Sequence, residues 1–255
     1  MRQLKLSSVC FLGGFVMFLA SFGVRHAMHS SFFTLERMEV ILSQVNPPLD
    51  RVGILRLIAV PLGKVSLFDL DLNSIEKSLL SQDWIREVKF KKSIFHTLVV
   101  TVNFREPKAV IQTSQGTLRY VDEEGKIFGT FSLLQQLNLP YLSGFSHQNS
   151  EKIRVALLLL LRWENSPLSV ESSISSVYWE LERGFRILLT YSLGLDRSTQ
   201  ARTMIDIGQE IDETLDGKLF RLSHIIEYLK SNSIAVHQVW MDAGKKVVVK
   251  TVQGS

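Results

Sequence analysis

The chain has 255 residues, 45% hydrophobic and 21% charged, and its 29 basic and 25 acidic residues give a formal charge of +4. That composition excludes a disordered chain and fits one large or two ordinary domains. So small a charge excess implies no polyanion partner without a concentrated patch, and a single cysteine, Cys10, excludes an intrachain disulfide and a thiolate metal cluster.

After Met1–Lys5, the segment LSSVCFLGGFVMFLASFGV runs from Leu6 to Val24 without a charge. As a helix it spans about 28 Å, the thickness of a bilayer core. A cleaved signal peptide is the rival reading. Its apolar region is usually shorter, about 7–15 residues, and ends at small residues, for which Ser21-Phe22-Gly23 is a weak fit. The length favours a retained transmembrane helix at residues 6–24, between a cytoplasmic tail (1–5) and a linker (25–31). Arg2, Lys5 and the amino terminus outweigh Arg25. That asymmetry puts the N-terminus inside and roughly 230 residues outside the cytoplasmic membrane.

Phe33 to Ile41 alternates loosely and predicts a first strand. Asn46-Pro47-Pro48 breaks the chain, and Pro48 suits the opening of a helix, where its missing N–H is not needed. Leu49, Val52, Leu55 and Ile58 follow at helical spacing, and Pro61 and Gly63 stop it. In LFDLDLNSIEKSLLSQDWIREVKF (Leu67–Phe90) a second helix starts either at Asn73, paired with Glu76, or at Asp71, with Leu72, Ile75, Leu79 and Leu80 as its inner face. Val88 and Phe90 alternate with Glu87, Lys89 and Lys91. Leu98, Val100, Val102 and Phe104 alternate with Val99, Thr101, Asn103 and Arg105. Residues 32–108 thus read as an α+β domain of order strand, helix, helix, strand, strand, closed by Pro107.

Residues 109–255 read as a mostly antiparallel β domain with two flanking helices. Strands are predicted at Ala109–Thr113, Leu118–Asp122 and Lys126–Phe131, separated by the turn signals Gln115-Gly116 and Glu124-Gly125. A helix capped by Asn149 or Ser150 runs to about Trp163. Its five leucines, Leu157 to Leu161, are too short a run to cross a membrane and belong to a core. A hairpin follows at Val177–Leu181 and Phe185–Tyr191, then a strand near Met204–Ile207. The helix Leu215–Lys230 comes next, with Leu219, Leu222, Ile226 and Leu229 inward. The chain closes with Ile234–Met241, a turn at Asp242-Ala243-Gly244 and the strand KKVVVKTV.

Motifs that carry chemistry are sparse. His26, His29, His96, His147, His224 and His237 form no HExxH and no cluster at metal spacing, and no GxSxG, P-loop or GxGxxG occurs. Ser74-Ile75-Glu76-Lys77 fits SxxK, but the SDN and KTG elements that complete such a site are missing, and a helix's first turn accounts for Ser74. Arg86, Lys89, Lys91 and Lys92 lie close together, yet Lys89 and Lys91 alternate as a solvated strand face does. No catalytic, cofactor or metal site and no nucleic-acid partner is expected.

The order of these parts resembles a known family. The matching stretches are LFDLDLNSIEKSLLSQDWIREVKFKK, with Leu67-Phe68 before the second helix and Trp84-Ile85 opening a strand, and TLVVTVNFREPKAVI, with Arg105-Glu106-Pro107. Downstream, LRYVDEEGKIFG carries Val121, Asp122, Gly125 and Phe128, and LPYLSG carries Leu139, Pro140 and Gly144. In this order they resemble the bacterial cell-division family FtsQ/DivIB, whose first extracytoplasmic unit is a POTRA domain. Leu42 and Ile94-Phe95 depart from the family's pattern, and Asp196–Thr203 is poorly matched.

The resemblance implies a non-enzymatic, membrane-anchored scaffold of the divisome. Such a scaffold binds the bitopic partners FtsB and FtsL and helps control septal wall synthesis. It implies strand addition to the last strand of the second domain. There VWMDAGKKVVVKT forms a final hairpin whose end strand exposes unpaired N–H and C=O groups. Trp240, Met241, Ala243, Gly244, Val247, Val248 and Val249 are the expected contacts, with Val247 and Val249 equally suited to the core, and Lys245 and Lys246 guarding the edge against self-pairing. Leu98, Val100, Val102 and Phe104 mark a possible second edge for other division proteins. The alternative is a POTRA-bearing component of another envelope assembly or secretion machinery, but too few strands remain for the barrel such proteins usually carry.

Overall fold

Strict alternation of buried and half-buried residues along Thr97–Phe104 organises the first sheet. In the computed structural model, residues 33–251 are described apart from 45, 94–95, 133–136, 146–149, 171, 194–198, 210, 212–213 and 242–247. Strands β1 (Arg37–Leu42), β2 (Ile85–Ser93) and β3 (Thr97–Phe104) form a sheet of order β1-β3-β2, with β3 parallel to β1 and antiparallel to β2. Helices α1 (Arg51–Ile58) and α2 (Leu72–Leu80) bury Ile54, Ile58, Ile75 and Leu79 in the same core as Leu98, Val100, Val102 and Phe104.

Several details of these helices differ from the sequence reading. Helix α1 starts after Asp50, whose carboxylate accepts from Gly53 N at 2.7 Å, so Pro48 lies ahead of the cap and does not open the helix. It is also rotated from the expected stripe, leaving Val52 52% exposed. It ends at Ala59, in a left-handed conformation with its N–H donating to Leu55 O, before Pro61 is reached. Of the two candidate caps for α2, Asp71 takes the role, accepting from Ser74 N at 3.0 Å. Leu80 points outward, because the turn that buries Ile75 and Leu79 carries it past the core. Ser74 and Lys77 are both exposed.

The possible second edge is overturned. Strand β3 lies between β1 and β2, so its backbone ladders are taken on both sides, and Leu98, Val100 and Val102 are fully buried, with Phe104 nearly so. Perfect alternation marks a strand with one buried face and does not say where in the sheet it lies.

Contacts divide the chain between Arg105 and Glu106. Beyond that point β4 (Ala109–Gln112), β5 (Leu118–Val121), β6 (Ile127–Phe128), β7 (Tyr141–Ser143), β8 (Ser172–Glu180), β9 (Gly184–Leu193), β10 (Thr199–Gly208), β11 (Val236–Trp240) and β12 (Val248–Thr251) form one sheet of order β12-β11-β10-β9-β8-β7-β4-β5-β6. Most neighbours are antiparallel, and the parallel pairs are β4–β7, β7–β8 and β10–β11. Strand β7 has three residues, too few to show a period, yet it joins the β4–β6 meander to the rest. Strand β10 starts at Thr199, five residues ahead of the sequence reading.

Helices α3 (Ser150–Glu164) and α4 (Leu215–Ser231) share one core with the inward residues of the sheet, among them Val177, Ile187, Ile205 and Val239. In the five-leucine run, Leu157, Leu159 and Leu160 are buried and Leu158 and Leu161 point out. All four leucine and isoleucine positions predicted to face inward on α4 are buried. No helix among the described residues is long and apolar enough to cross a membrane. The expected tail, transmembrane helix at Leu6–Val24 and linker lie outside the described residues.

Two motif residues have clear structural work. The Asp122 carboxylate accepts from Glu124 N and Lys126 N at 3.0 and 2.9 Å, which closes the β5–β6 turn around Gly125 at φ +82. Gly144 sits at φ +81, where a Cβ would overlap the Trp179 carbonyl, so β7 and the chain after it can approach β8 only with glycine there.

Candidate partner-binding edge

Strand β12 ends the nine-stranded sheet. It pairs with β11 alone, through Trp240↔Val248, Val239↔Val249, Gln238↔Lys250 and Val236↔Thr251, with an irregularity between Val236 and Gln238. Among the described residues, no strand lies on its other side. The opposite end of the sheet is β6, only two residues long, and Phe131 N already donates to Leu118 O beside it. Very short end strands resist pairing, so β12 is the better platform for an added strand.

The residues behind β12 explain how that edge is held. Tyr178, Arg186, Asp206, Trp240 and Val248 are register partners in one row across β8 to β12. Arg186 and Asp206 alternate with Ile187, Ile205 and Ile207 of the core, so they lie on the face opposite the helices. Even so Asp206 is buried and Arg186 nearly so: the side chains of Arg186 and Asp206 are 14% and 7% exposed, with Arg186 Nε 2.8 Å from Asp206 Oδ1. Arg186 also donates to Glu180, and the Gln238 amide donates to the other Asp206 oxygen. One carboxylate therefore ties β9, β10 and β11 together. Met241 N donates to Asp206 O at 2.9 Å, continuing the β10–β11 join past its last register pair.

Behind this row, on the core side, Thr203 Oγ1 donates to Val236 O at 2.9 Å and lies 3.2 Å from the Tyr191 hydroxyl. Burial pushes the Tyr191 phenol above its ordinary pKa, against a smaller opposing effect of the Thr203 hydrogen bond. The start of β11 is thus fixed by the Thr203 hydroxyl, and its middle and end by the Gln238 amide and the Met241 N–H, both bonded to Asp206.

The expected contact residues separate accordingly. Trp240 is half-buried in the row and Val248 is 50% exposed beside it at the edge. Met241 is corrected: it is 1% exposed and belongs to the core, so its side chain is closed to a partner. Val249 takes its place in β12 opposite Val239, while Ala243, Gly244, Lys245, Lys246 and Val247 lie outside the described residues. Sequence reasoning missed Arg186 and Asp206. Their signal was a lone charge between buried apolar neighbours, Phe185 and Ile187 for one and Ile205 and Ile207 for the other.

Residues 109–241, a little over half the chain, match the family described as Cell division protein FtsQ/DivIB, C-terminal. That span takes in β4 to β11 and stops just ahead of β12. The chain is also similar to proteins named Cell division protein FtsQ. One from Geobacter sp. is 26% identical over 227 residues, 86% of this chain and 77% of the relative. One from Geotalea daltonii is 25% identical over 242 residues, 91% and 82% of the two chains. A third, from Syntrophotalea carbinolica, is 24% identical over 253 residues, 94% and 82%. Likeness that runs through nearly the whole chain, with the family's domain seated on the nine-stranded sheet, means that this chain belongs to the FtsQ/DivIB family of cell-division proteins.

Proposed function

We propose that this chain is a non-enzymatic scaffold of the divisome that captures FtsB- and FtsL-type bitopic partners by strand addition at β12. The observation that carries this reading is the position of β12 at the end of the sheet, paired on one side only. Main-chain bonds along Val248–Thr251 would supply affinity, and side chains near Trp240 and Val248 specificity. The strand-helix-helix-strand-strand unit of residues 33–105 acts as a POTRA-type module for other division proteins. In this reading Leu6–Val24 anchors the chain in the cytoplasmic membrane with its N-terminus inside, and the rest works outside it at the septum.

The test uses the backbone of β12. Successive N–H groups in a strand point to opposite sides, so of Val248 and Val249 one donates toward β11 and the other outward. Proline at each position removes one donor. We expect one of Val248→Pro and Val249→Pro to abolish capture of the FtsB/FtsL-type pair by the full chain while leaving its thermal unfolding unchanged. The other should loosen the β11–β12 pair. Full capture by both variants would place the partner elsewhere.

A further inference from the structure

The core of the first unit does not account for Phe68. Its neighbour Leu67 is buried, but Phe68 is 41% exposed, with the Phe33 ring edge to face at 5.1 Å and Lys92 Nζ 5.0 Å from its ring centre. Backbone contacts place these groups at one end of the unit. Leu67 N donates to Phe33 O, Leu35 N to Val65 O and Gly63 N to Leu35 O, while His96 Nδ1 lies 3.0 Å from Thr34 O. The register pairs Arg37↔Thr97 and Lys92↔Leu98 bring the end of β2 to the same place. There Leu62 is 48% exposed, and Lys64, Lys91 and Lys92 are exposed beside it. Exposed apolar surface rimmed by charge marks an interaction site.

Phe33 is also the point at which the chain enters this unit. In the reading above, on which this inference rests, Leu6–Val24 spans the cytoplasmic membrane. The tether from Val24 to Phe33 then reaches about 30 Å at full extension. A unit of this length is itself about 30 Å across. The end that carries Phe33 is therefore kept near the bilayer, and the opposite end, where Ile85 pairs with Phe104, can stand one unit width further out. We propose that the Phe33 end of the first unit seats on the outer surface of an anionic bilayer, with Leu62 and Phe68 at the headgroup boundary and Lys64, Lys91 and Lys92 against the lipid phosphates.

The chemistry of the surface suits that partner. Apolar side chains sink into the headgroup boundary, and lysines lay their stems on apolar surface while the ammonium stays wet. Lys92, with its ammonium over the Phe68 ring, already stands in that posture. Each lysine brought to an anionic surface strengthens binding about fivefold. Glu36 and Asp69 lie at the same end and temper this charge. Glu39 stands on β1 with β3 between it and Lys91, about 10 Å across two strand spacings, beyond a Debye length of about 8 Å. Three lysines would recruit a free protein weakly, but tethering raises the effective concentration and lets few contacts fix the unit's orientation.

The test uses the full chain in lipid nanodiscs, with Cys10→Ser as background and a nitrobenzoxadiazole dye on one introduced cysteine. Leu62→Cys reports the proposed surface, and Leu80→Cys, 42% exposed beside the opposite end of the sheet, reports the far one. In discs of phosphatidylcholine and phosphatidylglycerol, nitroxide-labelled headgroups should quench the dye at residue 62 and leave it bright at residue 80. Quenching at residue 62 should be lost in Lys64→Glu/Lys91→Glu/Lys92→Glu, and also in phosphatidylcholine alone. Lys91→Gln should lower the ratio of seated to unseated chain about fivefold. The triple variant should keep the parent's thermal melt and still capture the FtsB/FtsL-type pair. With the chain retained on the disc, three results would each overturn the proposal: no quenching at residue 62, equal quenching at residues 62 and 80, or quenching that survives the triple reversal. A chain that separates from the discs would overturn the anchor and the seating together. Loss of partner capture in the triple variant, with residue 62 still quenched, would assign the lysines to a protein instead.

Discussion

Replacing Asp206 by alanine should be among the most damaging single changes in the second unit. The carboxylate lies 2.8 Å from Arg186 Nε, and the two side chains are only 7% and 14% exposed. At that distance the gross attraction is about 6 kcal/mol with an effective dielectric of about 20, most of it offset by the cost of taking both charges out of water. Removing one partner keeps the cost and loses the attraction. Arg186 would retain Glu180, but Gln238 would lose its acceptor on β10. We expect a loss of about 3–5 kcal/mol in Asp206→Ala, read as a shifted urea midpoint of the full chain. The double variant Arg186→Met/Asp206→Leu should recover most of it, since an apolar pair of similar volume carries no desolvation penalty. Because β11 carries β12, partner capture should fall in the single variant and return in the double. A loss below about 1 kcal/mol in Asp206→Ala would mean that the pair is effectively solvated and does not hold the edge.

Other outcomes follow from the same structure. Gly144→Ala should cost more than about 2 kcal/mol, because its φ of +81 disfavours any side chain and a Cβ would overlap the Trp179 carbonyl; a thermal melt within error of the parent would refute this. Asp122→Ala leaves the N–H groups of Glu124 and Lys126 without their acceptor and should cost about 1–3 kcal/mol, with faster amide exchange confined to the β5–β6 turn. Tyr191 has a raised pKa in the folded chain, so the stability it contributes is complete below about pH 10, the unfolded value, and is lost as pH rises from there through the folded pKa. Tyr191→Phe should therefore show a shallower alkaline loss of stability, and an unchanged slope would contradict the assignment.

The sequence was most legible where one face of an element is buried and the other wet. The β3 alternation and the α4 leucines were read correctly, because burial there follows the element's own period. It was least legible where the decisive partner is remote in the chain. Which strand of the first sheet lies in the middle depends on β1 arriving parallel to β3, some sixty residues away in sequence, and no local pattern records that. The three residues of β7 owe their strand state to neighbours on both sides. Met241 looked like part of the terminal hairpin, but its N–H bond to Asp206 O turns it into the core. The hairpin of β11 and β12 was legible in VWMDAGKKVVVKT, and β12 stands at the end of the sheet as that reading expects.

The most direct measurement of the central claim is amide hydrogen exchange of the full chain with and without an FtsB/FtsL-type partner pair. Strand addition predicts new protection at Val248–Thr251, with β6 at the other end of the sheet unchanged. Unchanged exchange along Val248–Thr251, with protection appearing elsewhere on the chain, would contradict it.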